Sequence, residues 1–115
     1  MTAPSRELQT LKAEFFRSLA HPLRIRILEV LTARGERTVQ QLQDELAVEQ
    51  PIVSQHLAKL RSSGVVETRK IGTTVAYTLA DPLTGDLLKI ARQILNRRLT
   101  GAQTLLRELR SHRAL

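Results

Sequence analysis

The strongest constraint on the fold is a succession of signals between residues 38 and 79, TVQQLQDELAVEQPIVSQHLAKLRSSGVVETRKIGTTVAYTL. Thr38 with Gln41 three places later is a capping box, which starts a short helix carrying Leu42 and Leu46. Residues 47–50 turn the chain. Pro51 opens the next helix, which runs to Ser63 before Gly64 stops it. Residues 65–70 and 75–79 then read as two strands joined around Gly72, with Val75, Tyr77 and Leu79 alternating onto one face.

Helix, turn, helix and basic hairpin in that order fit a winged helix-turn-helix, in which one helix enters a DNA groove and the hairpin reaches the neighbouring backbone. The flanks supply the other helices. Ser5 caps a first helix over about 5–19, with Leu8, Leu11, Phe15 and Leu19 at helical spacing. His21-Pro22 ends that helix and starts a second, whose buried stripe is Leu23, Ile27, Val30 and Leu31 and whose stop is Gly35. Asp81-Pro82 starts a long last helix over about 82–110. Gly101 costs it about 1 kcal/mol and is a place where it bends or breaks. The expected fold class is therefore mainly α with a small β-hairpin: five helices, or six if Gly101 breaks the last, plus a two-stranded wing.

Composition narrows this further. A chain of 115 residues without repeat or linker is one domain, residues 1–115. With two Phe, one Tyr and no Trp, its core is aliphatic, and with no Cys it holds neither disulfides nor thiolate metal sites. Its apolar runs are too short for a bilayer and its start lacks a signal-peptide core, so a cytoplasmic protein without a membrane partner is expected. Eighteen Lys and Arg against eleven Asp and Glu give +7, which suits a polyanionic partner. The scattered basic residues also suit an ordinary solvated surface.

The second helix of the motif is the candidate reader. Val53, Leu57 and Leu60 mark its buried side, and rotation of about 100 degrees per residue places Pro51, Ser54, Gln55, Ala58 and Ser62 opposite, flanked by Lys59 and Arg61. Gln55 can bond an adenine edge in two places, Ser54 a base or phosphate, and Ala58 permits close approach. Gln50 and the helix-start amides suit phosphate. On the hairpin, Arg69 and Lys70 before Gly72, with Thr73 and Thr74 after it, suit a minor-groove or phosphate finger. The plainer alternatives are a neutral exposed helix and a hairpin whose charged edge deters aggregation.

Three segments, LAHPLRIRILEVL at 19–31, QPIVSQHLAKLRSSGVV at 50–66 and the hairpin ending in AYTL at 76–79, resemble the ArsR/SmtB family of bacterial winged-helix repressors. The resemblance implies a homodimer built on the first and last helices, here through Leu8, Leu11, Phe15, Leu87, Ala91, Ile94 and Leu95. It also implies two reading helices presented to an inverted repeat of double-stranded DNA, released by an effector that is often a metal ion. His21 and His56 belong to the family pattern, with packing or a phosphate contact as their role, and His56 joins the expected DNA contacts. Two departures weaken generic attraction to DNA: Glu49 before the reading helix, and Thr73 and Thr74 where further basic residues are common.

Neither familiar metal site is expected. Thr38 and Gln40 stand where a Cys-x-Cys would be, and the last-helix set reads Asp81, Leu83, Ile94 and Arg97. One atypical pair remains, His112 a turn beyond Glu108, at a spacing that could chelate nickel or zinc. No catalytic residues, resident metal or cofactor are expected, since Cys is absent, the three His are not grouped with a nucleophile and no glycine-rich phosphate loop occurs. The expectation is thus a homodimeric DNA-binding regulator, responding to an effector or a partner protein. The alternatives are a winged-helix module whose basic last helix docks an acidic partner, and a regulator sensing metal through an atypical site.

Overall fold

The computed structural model describes the backbone of residues 4–114 and the side-chain surroundings of residues 7–111. Its elements are α1 (Pro4–Leu19), α2 (Pro22–Arg34), β1 (Arg37–Thr38), α3 (Val39–Leu46), α4 (Gln50–Ser62), β2 (Val66–Ile71), β3 (Thr74–Leu79) and α5 (Leu83–Ala114). One unit ends at Gly85 and a second begins at Asp86.

Local chemistry sets most of the boundaries. α1 opens at Pro4, whose fixed φ suits a first helical position, so Ser5 lies inside the first turn and is not the cap. His21 caps α2: its Nδ1 accepts from the Leu23 N–H at 3.0 Å. The expected capping box is present in full, with Thr38 N–H donating to Gln41 Oε1 at 2.9 Å and Gln41 N–H to Thr38 Oγ1 at 3.2 Å. α3 ends at Ala47, a non-glycine residue in the left-handed region (φ 53°), and Arg26 Nη2 donates to the Leu46 carbonyl at 3.0 Å. α4 starts one residue earlier than expected, at Gln50, with Pro51 in its first turn. It stops at Ser62, followed by Gly64 at φ 75°, and Val65 N–H closes the end on the Leu60 carbonyl at 2.9 Å.

The core of the first unit is aliphatic. Ile27, Leu28, Leu42, Val53, Leu57 and Leu60 are wholly buried. In α2 the fourth inward position is Leu28, and Val30 is only half-buried. The wheel explains the exchange: Leu23, Ile27, Leu28 and Leu31 span one broad arc, and Val30 falls at its edge.

The sheet differs from the expected two-stranded hairpin. β1 adds a third strand on the far side of β3, giving the order β1-β3-β2. Arg37 pairs with Tyr77 and Thr38 with Ala76, while β2 pairs Val66 with Leu79, Thr68 with Tyr77 and Arg69 with Ala76. β3 is therefore central. Its buried residue is Ala76, at 1% exposure, whereas Val75, Tyr77 and Leu79 are half-buried. A small side chain fits the covered centre of a three-stranded sheet, and the larger residues alternate onto the other face.

α5 starts on the expected cap, Leu83 N–H donating to Asp81 Oδ1 at 2.9 Å. Thr84 is buried, and a Cβ built on Gly85 would lie 2.6 Å from Thr32 Cγ2, so only glycine fits there without displacement. From Asp86 onward the second unit is the same helix, continuous through Gly101. The cost of one glycine, about 1 kcal/mol, is spread over a helix of 32 residues and does not break it. Ile90, Ile94, Leu95, Leu99, Leu105 and Leu106 are each at least half exposed in the single subunit. Among the described residues no helix is long and apolar enough to cross a membrane.

Candidate nucleic-acid interface

α3, the turn at residues 47–49 and α4 form the helix-turn-helix. Val53, Leu57 and Leu60 are wholly buried and fix the rotation of α4 about its axis. That anchoring puts Gln50, Pro51, Gln55, Ala58, Lys59 and Arg61 at the surface, with Ser54 half-buried among them. Two of these residues are already joined: Gln50 Nε2 donates to Ser54 Oγ at 3.3 Å, one helical turn apart. Ser62 Oγ donates back to the Lys59 carbonyl at 3.0 Å. The outer face is thus an amide and hydroxyl surface with two cations at its far end. Glu49 occupies the N-cap without a side-chain bond to the helix.

The hairpin presents Lys70, Gly72 (φ 64°), Thr73 and Thr74 to solvent. Arg69 is also exposed, but its guanidinium is forked onto Glu36, with Nε to Oε2 at 2.9 Å and Nη2 to Oε1 at 2.7 Å. The pairing holds the Glu36 carboxyl below its ordinary range, chiefly through the Arg69 hydrogen bond, and raises the guanidinium correspondingly. Two further arginines of this region, Arg34 and Arg37, both lie on Glu45, at 4.0 and 3.0 Å.

His56 is not part of the outer face. It is half-buried and turned toward α2, its Nδ1 accepting from Arg24 Nε at 3.2 Å, with its ring 4.2 Å from that of His21. Arg24 Nη1 also donates to the Ser18 carbonyl at 3.2 Å, so one guanidinium ties the end of α1 and α2 to α4. Burial, then His21, then Arg24 hold the His56 imidazole below its ordinary 6.5. The folded chain favours neutral His56, whereas the unfolded chain takes up a proton near the ordinary value. This contribution to stability is present above about pH 6.5 and is lost as pH falls through the lower folded value. Urea unfolding compared at about pH 7.5 and about pH 5.5 should show wild-type stability falling with acid, and the His56→Gln variant losing less. An equal loss in both would remove His56 from the explanation.

The sequence pointed to α4 and the wing but not to Arg24 or Glu36. Arg24 stands in the quoted segment 19–31, and its tie to His56 spans 32 residues. Glu36 lies between a helix stop and a cap and meets Arg69 across 33 residues. No local period signals either contact.

The sequence profile of bacterial regulatory proteins of the arsR family matches residues 21–68. The uncharacterized HTH-type transcriptional regulator Rv0081 of Mycobacterium tuberculosis is 42% identical over 107 residues, covering 93% of this chain and 94% of its own. This chain belongs to the arsR family of bacterial regulatory proteins. Its similarity to the Rv0081 crystal structure has a TM-score of 0.75 at 43% identity, covering 88% of this chain and 98% of that one. A probable mercury resistance operon repressor of Streptomyces lividans is 40% identical over 80 residues, 70% of this chain and 63% of its own. The solution structure of a homodimeric winged helix-turn-helix DNA-binding domain from Mycobacterium bovis matches with a TM-score of 0.76 at 26% identity, covering 86% of this chain and 91% of that one.

The protein is thus an ArsR-type transcriptional regulator on a winged helix-turn-helix. The two ligand sets that the family resemblance implies do not suit a cation in this chain. Thr38 is spent in the capping box and Gln40 donates to Asp44 Oδ1 at 3.1 Å. Asp81 caps α5, Leu83 and Ile94 carry no donor, and Arg97 is cationic. The atypical pair fares differently: Glu108 is exposed on α5, but the side chain of His112 lies outside the described residues.

Proposed function

We propose that this ArsR-family regulator is a homodimeric repressor that reads an inverted-repeat operator with paired α4 helices and does so without either familiar family metal site. The observation that carries the reading is the outer face of α4: Ser54 and Gln55 form an uncharged polar surface, with Gln50 at its start suited to phosphate, held outward by wholly buried Val53, Leu57 and Leu60. Ordinary solvated helix faces are rich in Lys and Glu; amides and hydroxyls are what pair with base edges. Lys59, Arg61 and Lys70, with Arg69, Gly72, Thr73 and Thr74 of the wing, supply phosphate contacts on either side of the reader. His56 acts behind this surface, holding α4 to α2, and not on DNA.

The dimer platform is α1 and α5, each offering an apolar face to a second copy. Leu8, Leu11 and Phe15 are 51, 57 and 38% exposed, and Ile94 and Leu95 are 50 and 55% exposed beside Leu87 and Ala91. Burying such side chains against their symmetry mates is the ordinary way to remove them from water. The homodimeric Mycobacterium bovis domain supports this assembly. Two readers about one DNA turn apart require a roughly palindromic site. Phosphate contacts from two subunits make affinity fall by roughly a thousandfold or more between 50 and 200 mM salt. The protein works in the cytoplasm, catalyses nothing, and takes its signal from a non-metal ligand or a partner protein.

Selection of bound duplexes from a random pool, repeated with zinc and with nickel, tests this. A two-fold symmetric consensus unchanged by metal is expected. Absence of enrichment would refute DNA reading, and release by either metal would refute metal independence.

A further inference from the structure

Among the described residues Lys59, Arg61 and Lys70 have no ion-pair partner, whereas Arg69 is already engaged by an acid of its own subunit. The sheet order makes that pairing. β1 and β2 lie on opposite sides of β3, with Thr38 and Arg69 both facing Ala76 across the ladder. Glu36, just before β1, is thereby brought within reach of Arg69, and the two form a bidentate fork at 2.9 and 2.7 Å. Arg34 and Arg37, the other arginines beside Glu36 in sequence, have their own carboxylate in Glu45.

A bidentate fork onto two oxygens is also how a guanidinium holds a phosphodiester. One guanidinium edge cannot serve both at once. We infer that the Glu36–Arg69 fork is an intramolecular competitor for backbone phosphate: DNA takes Arg69 only by displacing the Glu36 carboxylate. Glu36, without touching DNA, then sets how much the wing adds to affinity. The inference rests on the wing being a DNA contact, as proposed above.

Two consequences distinguish this arrangement from a merely structural ion pair. Phosphate contacts carry no sequence information, so relieving the competition must strengthen operator and random DNA by the same factor. An arginine that neutralises a phosphate normally adds about 0.9 to the salt slope, but breaking an exposed ion pair in the same step is eased by salt, which offsets part of that gain. Removing the Glu36 charge therefore steepens the salt dependence as well as raising affinity.

The test measures binding of the full chain to a selected operator and to a random duplex of equal length, over a salt series. It compares wild type, Glu36→Gln, Arg69→Ala and the double variant. Glu36→Gln is expected to tighten binding to both duplexes by about two- to fivefold per subunit, the scale of an exposed ion pair, and to steepen the slope by less than about two per dimer. In the Arg69→Ala background the same change should alter affinity by less than about twofold. Unchanged affinity in Glu36→Gln would overturn the competition. Weaker binding would overturn it too, because Glu36 would then be positioning Arg69 for DNA. An equal gain in the Arg69→Ala background would replace it with a general field effect. If Arg69→Ala binds like wild type, the wing inference fails while the α4 reading stands; if no form of the protein prefers any DNA, the proposed function itself fails.

Discussion

Gln55→Ala combined with Ser54→Ala should reduce the preference for operator over random duplex by about a hundredfold or more, while leaving binding to random DNA nearly intact. The size follows from the chemistry of the contact. A bidentate amide-to-adenine pair discriminates by about 1–3 kcal/mol, and a two-fold assembly uses each contact twice. Both side chains lie outside the core, Gln55 exposed and Ser54 half-buried, so the fold should survive their truncation. Ser54 accepts from Gln50, and its loss also releases that amide. Gln50→Ala alone, if the proposed phosphate contact of that amide is made, should instead weaken both duplexes alike. A preference unchanged in the double variant would mean that α4 does not read bases.

The second large effect concerns assembly. Ile94→Glu with Leu95→Glu is expected to convert the dimer to a monomer and to lower operator affinity to the level of random DNA. Each buried Ile or Leu contributes roughly 1.5–3 kcal/mol, and four such side chains per dimer, roughly 6–12 kcal/mol together, correspond to a shift in dimer dissociation of at least about ten-thousandfold. The substitutions sit on a helix whose basic residues, Arg92, Arg97 and Arg98 among them, tolerate added acids nearby. Sedimentation at several protein concentrations reads the result directly. A variant that remains dimeric would place the interface elsewhere.

The sequence carried the helices well because their boundaries are chemical. Proline at 22 and 51, the Thr38–Gln41 box and the glycines at 35 and 64 act within a few residues of themselves, and each element end lies where they put it or one residue away. What was hidden is tertiary. β1 is two residues long and wedged between a helix stop and a cap, too short for any alternation to show. Ala76 is buried on the central strand, flanked by β1 and β2 in a sheet that packs against α2, so the inward face of the hairpin could not be assigned from the hairpin alone. His56 follows the family pattern at the sequence level, yet only the fold shows it facing Arg24 and His21 instead of the reading surface. The rotation of α4 was legible, since Val53, Leu57 and Leu60 determine it, although Ser54 is half-buried. The pairing that engages Arg69 was not.

All of this depends on two α4 helices meeting one duplex at a fixed separation. The most direct measurement inserts about five base pairs, half a turn, between the halves of the selected operator. Binding weakened about a hundredfold, with about ten inserted base pairs less damaging than five, is the expected result. Affinity indifferent to the insertion would mean that the helices do not read the DNA as a rigid pair.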